Sequence, residues 1–294
     1  SDVYVWHLSR VQITREVQRL YIEEHEYQSL QQRIREKTAA KTIQKQQRMK
    51  KDFRIAKIDL VHELVHWSGL NKLPRGSRIL DVGCGIGGSA RILASEYGFD
   101  VLGISISPAQ IKRANQLTSK DLLCRFQTMD ALDLKIENGH FDAVWSVEAG
   151  PHMPNKQLYA DEMLRVLRPD GVLAVADWNV RQDSDLPMTK IERLILNQLL
   201  NQWAHPEFSS IEGFKRNLLE SDFSGGLVET SNWSKQTTPS WLESIYEGFR
   251  RPKAVLDLGI PGLIKGFREV PTILLMHWAF SKGLMEFGVF KARG

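Results

Sequence analysis

The sequence predicts an α/β protein built on a doubly wound, largely parallel sheet. Three observations carry that expectation. Between residues 56 and 178, short apolar runs alternate with helix-like segments across short links. The first strand-like run ends in an acid and a glycine loop, Ile79-Leu80-Asp81-Val82-Gly83-Cys84-Gly85-Ile86-Gly87-Gly88-Ser89, and a helix-like segment follows. After Trp178 the rhythm changes to longer helices, and a short apolar alternation closes the chain.

Taken in order, residues 10–57 read as a charged, glutamine-rich helix without Gly or Pro. Ten Lys or Arg and two acids lie between Arg33 and Lys57. The plain reading is a solvated helix; a basic arm lying on an anionic membrane is the functional one. No aromatics interleave with the charges as single-strand nucleic acid binding would want, so nucleic acid is not expected as a partner. Residues 56–67 form an amphipathic helix, with Ile58, Val61, Leu64 and Val65 at helical spacing. Strand one is residues 78–82, and a helix follows from Ala90 to residue 97. Strand two is 100–106, and helix 108–117 begins on Pro108, where a missing N–H costs nothing. Strands three and four are 126–129 and 141–147. Residues 156–167 are helical, Pro169-Asp170-Gly171 is a turn, and 172–177 is strand five. Beyond it, 188–203 and 211–221 read as helices, 227–234 as a sixth strand and 286–293 as the seventh. The division is a basic helical arm over 1–55, a Rossmann-like core over 56–180, and a helical cap with the last strands over 181–294.

Composition fits a soluble protein, with 42% apolar and 25% charged residues. A net charge of +4 does not by itself argue for nucleic acid. Two cysteines, Cys84 and Cys124, make neither a disulfide framework nor a metal cluster, so no metal is expected and the setting is intracellular and reducing. No stretch reaches the ~18 uninterrupted apolar residues of a membrane span; no signal peptide is expected at residue 1, and with Ser in place of an initiator Met the sequence does not show whether a leader is removed.

The glycine loop points to a nucleotide-type cofactor. Gly83, Gly85 and Gly88 fit G-x-G-x-x-G, in which glycines turn tightly and let backbone approach a ligand. Gly87 belongs to the same loop, and the small Cys84 sits inside it. Asp81 decides between ligands. A dinucleotide pyrophosphate is anionic, and an acid at the loop mouth would repel it. S-adenosylmethionine carries a sulfonium and an ammonium and no phosphate, so the acid suits it. Tight packing of strand onto helix would account for the glycines without any ligand.

The other strand ends supply partners. Ser105 and Ile106 close strand two, where a ribose site often has a carboxylate, and Gln110 can offer an amide to ribose hydroxyls. After strand three, Asp130 can accept from the adenine amine and Ala131 leaves room for the ring. After strand four come Val147 and Glu148, at the methionine end, then His152 over the expected methyl group. His152 is the candidate catalytic base, and Glu148 either lines the cofactor or orients it.

With these residues in view, the chain resembles the class I S-adenosylmethionine-dependent methyltransferases, and more closely the γ-tocopherol methyltransferase group. The resemblance rests on the glycine loop, on Trp145-Ser146-Val147-Glu148-Ala149-Gly150-Pro151-His152-Met153-Pro154, and on Leu164-Arg165-Val166-Leu167-Arg168-Pro169-Asp170-Gly171 running into Val175-Ala176-Asp177-Trp178-Asn179. Trp203-Ala204-His205-Pro206, Ser210-Ile211-Glu212-Gly213-Phe214 and Arg268-Glu269-Val270-Pro271-Thr272-Ile273-Leu274-Leu275-Met276 extend it to the C-terminal part. It covers roughly residue 52 onward. Upstream, the family's Trp-Gly-Asp-His-type segment, which helps close the site, is replaced by the charged arm.

The resemblance implies carbon methylation of a prenylated benzoquinol on the route to tocopherol and plastoquinone. It further implies an enzyme peripheral to a cyanobacterial thylakoid or plasma membrane, or in a plastid. Trp241, Ile245, Phe249, Leu263, Phe267, Leu274, Leu275, Trp278 and Phe280 would line the prenyl tail, or simply form the core of the cap. A tocopherol or a small amine is an alternative acceptor. A non-catalytic cofactor-binding module that associates with membrane or nucleic acid is an alternative of another class.

Overall fold

The strands form where the sequence places buried, branched runs, and they order themselves so that the cofactor loop lies at the centre of one edge. A computed structural model describes residues 53–202, 205–240 and 259–294, with backbone alone at 53–54 and 259–269. All of these lie in the unit Asp52–Gly294. The basic arm expected over residues 1–55 therefore falls almost wholly outside the described residues, as do Trp241, Ile245 and Phe249.

Helix α1 (Phe53–Ser68) leads into β1 (Arg78–Val82), α2 (Gly88–Glu96), β2 (Asp100–Ser105), α3 (Pro108–Leu117), β3 (Cys124–Thr128) and β4 (Phe141–Val147). Then come α4 (Lys156–Arg165), β5 (Leu167–Val180), α5 (Lys190–Gln202), α6 (Ile211–Glu220), β6 (Val228–Asn232), α7 (Gly259–Ser281) and β7 (Met285–Arg293). The seven strands make one sheet in the order β3-β2-β1-β4-β5-β7-β6. Strands β1 to β5 are parallel, and β7 runs antiparallel to both β5 and β6.

Alternating strand residues feed two separate cores, because successive side chains in a strand point to opposite faces. Leu80, Val82, Ile104, Val144, Leu173, Val175 and Phe290 pack with Tyr159, Met163 and Leu164 of α4 and with Phe214 and Leu218 of α6. Ile79, Ala143, Trp145, Ala174, Ala176 and Val289 pack on the other face with Leu64 and Val65 of α1 and with Ala90, Leu93 and Ala94 of α2. Both faces are covered, which is why these strands read as near-continuous apolar runs.

Two expectations are corrected. Pro169-Asp170-Gly171 does not separate helix from strand. It is a bulge inside β5, where the pairing with β4 shifts between Phe141/Leu167 and Ala143/Val172. Asp170 takes a left-handed backbone there (φ 62°) and its N–H bonds to the Gly294 carbonyl at 3.2 Å, so the end of the chain fills the kink. Strand two ends at Ser105, which leaves Ile106 outside the sheet and 71% exposed.

The cap packs a third core. Leu199, Phe208, Met276, Ala279, Leu284 and Met285 are buried in it. Leu275, Trp278 and Phe280 are partly buried and pack against that core. Leu274 is 56% exposed. Leu263 and Phe267 lie on α7 within the stretch described by backbone alone. No described helix is long and apolar enough to cross a membrane.

Candidate active site

The sheet order reverses direction between β1 and β4, and in open α/β sheets the ligand crevice opens beyond the strand C-termini at such a point. The ends of β1, β2, β3 and β4 there carry all the residues singled out from the sequence.

The β1–α2 loop is held in a left-handed path. Gly83, Gly85 and Gly87 have φ of 73°, 55° and 79°, which glycine adopts without the Cβ penalty other residues meet. Cys84 N–H bonds to the Ile104 carbonyl at 2.9 Å, and Arg91 donates to the Ile86 carbonyl at 2.8 Å, so both ends of the loop are tied. A side chain at Gly83 would collide with Ala149, and one at Gly87 with the Phe126 ring. Gly85 instead faces open space. Gly83 thus allows the glycine loop to lie directly against the segment that follows β4. A Gly83→Ala variant is expected to lose about 2 kcal/mol of stability, from left-handed strain and the collision together. It should also bind S-adenosylmethionine at least ~10-fold more weakly, because the two loops no longer meet. Thermal denaturation and cofactor titration check both.

Asp81 points toward α2, is only 2% exposed, and accepts a hydrogen bond from the Ala90 backbone. That N–H belongs to the positive end of the helix. Its second oxygen, Oδ2, is buried without a hydrogen-bond partner. Burial pushes the carboxyl up to about 7, and the Ala90 bond only partly opposes it. A buried acceptor with no donor is costly unless something supplies one. Open space at Gly85 and the exposed side chains of Ile86 (49%) and Ile106 (71%) lie in the same loops. This donor set fits a cationic group joined to a flat apolar one, as in S-adenosylmethionine.

Ser105 and Gln110 come together. Ser105 Oγ donates to Gln110 Oε1 at 2.7 Å and accepts from Ser107 N at 3.2 Å. The pair leaves the Gln110 amide nitrogen as the donor able to meet a hydroxyl. Asp130 spends one oxygen on its own turn, accepting from Leu132 N at 2.9 Å. It is exposed, and the neighbouring Ala131 is buried. Loop 134–138, just beyond, is fastened by Arg165 and Glu162. Arg165 donates to the Leu134 and Ile136 carbonyls, and Glu162 accepts from Leu134 N.

The β4 end is the most constrained part. Ser146 Oγ donates to the Val82 carbonyl at 2.8 Å and shares a 2.7 Å bond with the Tyr159 hydroxyl, which locks β4 to β1 and α4. Val147, the last strand residue, is partly buried. Glu148 has φ 57°, a conformation costing on the order of 1–3 kcal/mol for a non-glycine residue. Its side chain reaches solvent, yet the surrounding protein desolvates it enough to raise its carboxyl above the usual range, with Lys57 and the Trp178 bond opposing. Glu148 Oε1 accepts from the Trp178 indole at 3.3 Å. It is therefore oriented by Trp178 of β5.

His152 closes the short 3₁₀ turn Gly150–His152 and is exposed. Desolvation and then the nearby Lys156 charge hold it below the usual imidazole range, so it is neutral near neutral pH. His205 stands beside it, with ring centroids 4.5 Å apart and planes tilted by 42°. His205 is pushed lower still, to about 4, by burial and by His152. Neither His205 nor Lys156 nor Asp177 was singled out as a site residue from sequence. Asp177 lies on the strand next to β4, where Val147 pairs with Ala176, and that adjacency was the available signal. Cys84 and Cys124 are free and buried, and burial raises both thiols, so neither is a nucleophile. No His, Cys, Asp and Glu cluster suited to a metal occurs among the described residues.

A Methyltransferase domain family matches residues 80–175, which run from β1 through the glycine loop to β5. The fold and this family match define an S-adenosylmethionine-dependent methyltransferase. The chain is 54% identical to the 2-methyl-6-phytyl-1,4-hydroquinone methyltransferase of Synechocystis sp., over 82% of its own length and 76% of that protein's. It is 34% identical to the chloroplastic tocopherol O-methyltransferase of Arabidopsis thaliana, over 80% of this chain and 68% of that one. The fold is shared with Haemonchus contortus phosphoethanolamine N-methyltransferase 2, at a TM-score of 0.69 and 20% identity over 80% of this chain and 52% of that one. The chain belongs to the tocopherol methyltransferase family of S-adenosylmethionine-dependent enzymes.

Proposed function

We propose that this enzyme methylates a ring carbon of a prenylated benzoquinol, with His152 as the base. The observation that carries the reading is the contact of Gly83 with Ala149, which sets the glycine loop against the turn bearing a neutral, exposed imidazole. The 54% identity to an enzyme named for a phytyl hydroquinone supports the acceptor class. Asp81, Gly83, Cys84, Gly85 and Gly87 hold the amino acid end of the cofactor; Ser105, Ile106 and Gln110 hold its ribose side; Asp130 and Ala131 hold its base; Val147 and Glu148 line the path to the methyl group.

When bound, S-adenosylmethionine supplies an electrophilic methyl group on a sulfonium. An aromatic carbon ortho to a phenol is a poor nucleophile until the hydroxyl loses its proton. His152, neutral and within the cleft, takes that proton and so places electron density on the ring carbon. Carbon–carbon bond formation would break the carbon–sulfur bond; the methylated ring carbon would lose its proton to water, and the oxygen would regain one from the His152 imidazolium, which restores the aromatic quinol and the neutral base. The packed loops hold the two reactants in line, and that positioning supplies much of the acceleration. A basic arm and exposed apolar side chains of the cap, such as Leu274, would dock the enzyme on the bilayer that carries the acceptor.

Labelled methyl transfer to a phytyl benzoquinol, to γ-tocopherol and to dimethylglycine tests the reading. The benzoquinol should be methylated on carbon with the highest kcat/KM. Turnover of the amine alone would end the proposal, and preference for γ-tocopherol would replace the benzoquinol as the acceptor.

A further inference from the structure

The turn that carries His152 is gripped from both sides by an acidic and a basic side chain. Asp177 Oδ1 accepts from the Gly150 N–H at 3.1 Å, and the Ala149 backbone bonds to the same carboxylate. Lys156 Nζ donates to the Gly150 carbonyl at 2.8 Å and to the Met153 carbonyl at 2.6 Å. Gly150 thus has its N–H and its C=O both held by side chains. A Cβ at Gly150 would overlap the Asp177 carboxylate, so only glycine admits the acid this close. Lys156 and Asp177 also line one small pocket with Pro151, Asn179 and Ser209.

Fold stability does not explain this arrangement. Lys156 is the first residue of α4, where a positive charge opposes the helix dipole. The helix is already capped by Asn155, whose Oδ1 accepts from Leu158 N at 3.0 Å. Asp177 is 3% exposed in the middle of the sheet, and taking a carboxylate out of water there is expensive. Costs of this kind persist where a geometry must be fixed. Each member is anchored on a rigid element. Asp177 pairs with Gly288 across β5 and β7, and Lys156 sits on a helix whose Tyr159 is bonded to Ser146 of β4.

We propose that Lys156 and Asp177 are positioning residues that clamp residues 149–153 and so fix the His152 imidazole over the acceptor hydroxyl. The inference rests on the reading of His152 as base. The clamp has an electrostatic consequence as well. The groups facing His152 are Lys156 from α4 and His205 from the segment after α5, and Asp177 from β5 and then Glu148 act on the far side of Lys156. Burial is the main influence holding His152 neutral, and the Lys156 charge adds to it.

The test compares Lys156→Met, Lys156→Gln and His152→Ala in full-chain protein, with phytyl benzoquinol as acceptor. Both Lys156 variants should lower kcat by ~10- to 100-fold, as a misplaced reacting group does. The acceptor KM and the S-adenosylmethionine Kd should stay within about threefold, since bound-state contacts are intact. The acid limb of kcat/KM should move to higher pH in both, because a positive neighbour of His152 is gone. Lys156→Gln keeps a helix-forming polar side chain and carries the test if Lys156→Met fails to fold. Unchanged kcat with an unchanged acid limb in either folded variant overturns the clamp. Disappearance of the limb altogether would make Lys156 itself the base, which also overturns it. Full activity of His152→Ala would instead remove the base reading, and the clamp's purpose with it.

Discussion

Replacing His152 by alanine is expected to lower kcat for quinol methylation by ~10²- to 10⁴-fold, the usual worth of a positioned base. The Kd for S-adenosylmethionine should not change, because His152 lies on the turn after β4 and outside the glycine loop. The pH profile gives a sharper check. In the native enzyme His152 must be neutral to accept a proton, and its value lies below the ordinary imidazole range. Activity is therefore full above that value and is lost as pH falls through it. In the variant, turnover should depend on phenolate formed without help, so it should recover as pH rises toward about 10, the range of a free phenol. His205 offers little substitution, since its value near 4 makes it a weak base. Steady-state kinetics across that range, with Kd measured by titration calorimetry, would settle the role. An unchanged kcat at neutral pH would exclude His152 as the base.

Much of the frame was legible in the residues. β1, β4 and α3 have the bounds their sequences suggest, because each is bracketed by chemistry that acts locally. Pro108 sits at the first turn of α3, and Ser107 accepts from Gln110 N to cap it. The glycine loop was legible for the same reason, since left-handed backbone is a local demand. The kink at residues 168–171 was not. Pro-Asp-Gly reads as a turn in isolation, and it becomes a bulge within β5 through pairing with β4 and the Asp170 bond to Gly294. The site shows the same division. Residues at strand ends could be placed from the strand pattern alone. The bond between Ser105 and Gln110 could not, and it turns two expected ribose ligands into one preassembled pair. His205 lies 53 positions from His152 in the chain, and only the packing of the cap brings the rings together. The clamp by Lys156 and Asp177 is likewise invisible before β5 is set beside β4.

Asp81 carries the second large effect. In the free protein its carboxyl titrates at about 7, because burial disfavours the charge and the Ala90 bond only partly offsets that. A cation placed at Oδ2 favours the ionised form and lowers that value. The sign follows from linkage. Below about 7 the free carboxyl is protonated, so binding must first expel the proton, and affinity falls as pH falls through this window. Above it the carboxylate is already ionised and the affinity levels off, until the ligand's own α-amino group begins to lose its proton near about 8. S-adenosylmethionine should therefore bind with net proton release at about pH 6, seen in calorimetry as a heat that depends on the ionisation enthalpy of the buffer. Asp81→Asn removes the charge and keeps the size. Its Kd should be ~10- to 100-fold weaker at about pH 7.5, the worth of one hydrogen bond to a charged group. Its affinity should no longer vary across the acid window. A native-like Kd in Asp81→Asn, or an affinity in the native protein that is flat from about pH 6 to about pH 7.5, would place the cation elsewhere. Asp81 would then serve only to cap the N-terminus of α2.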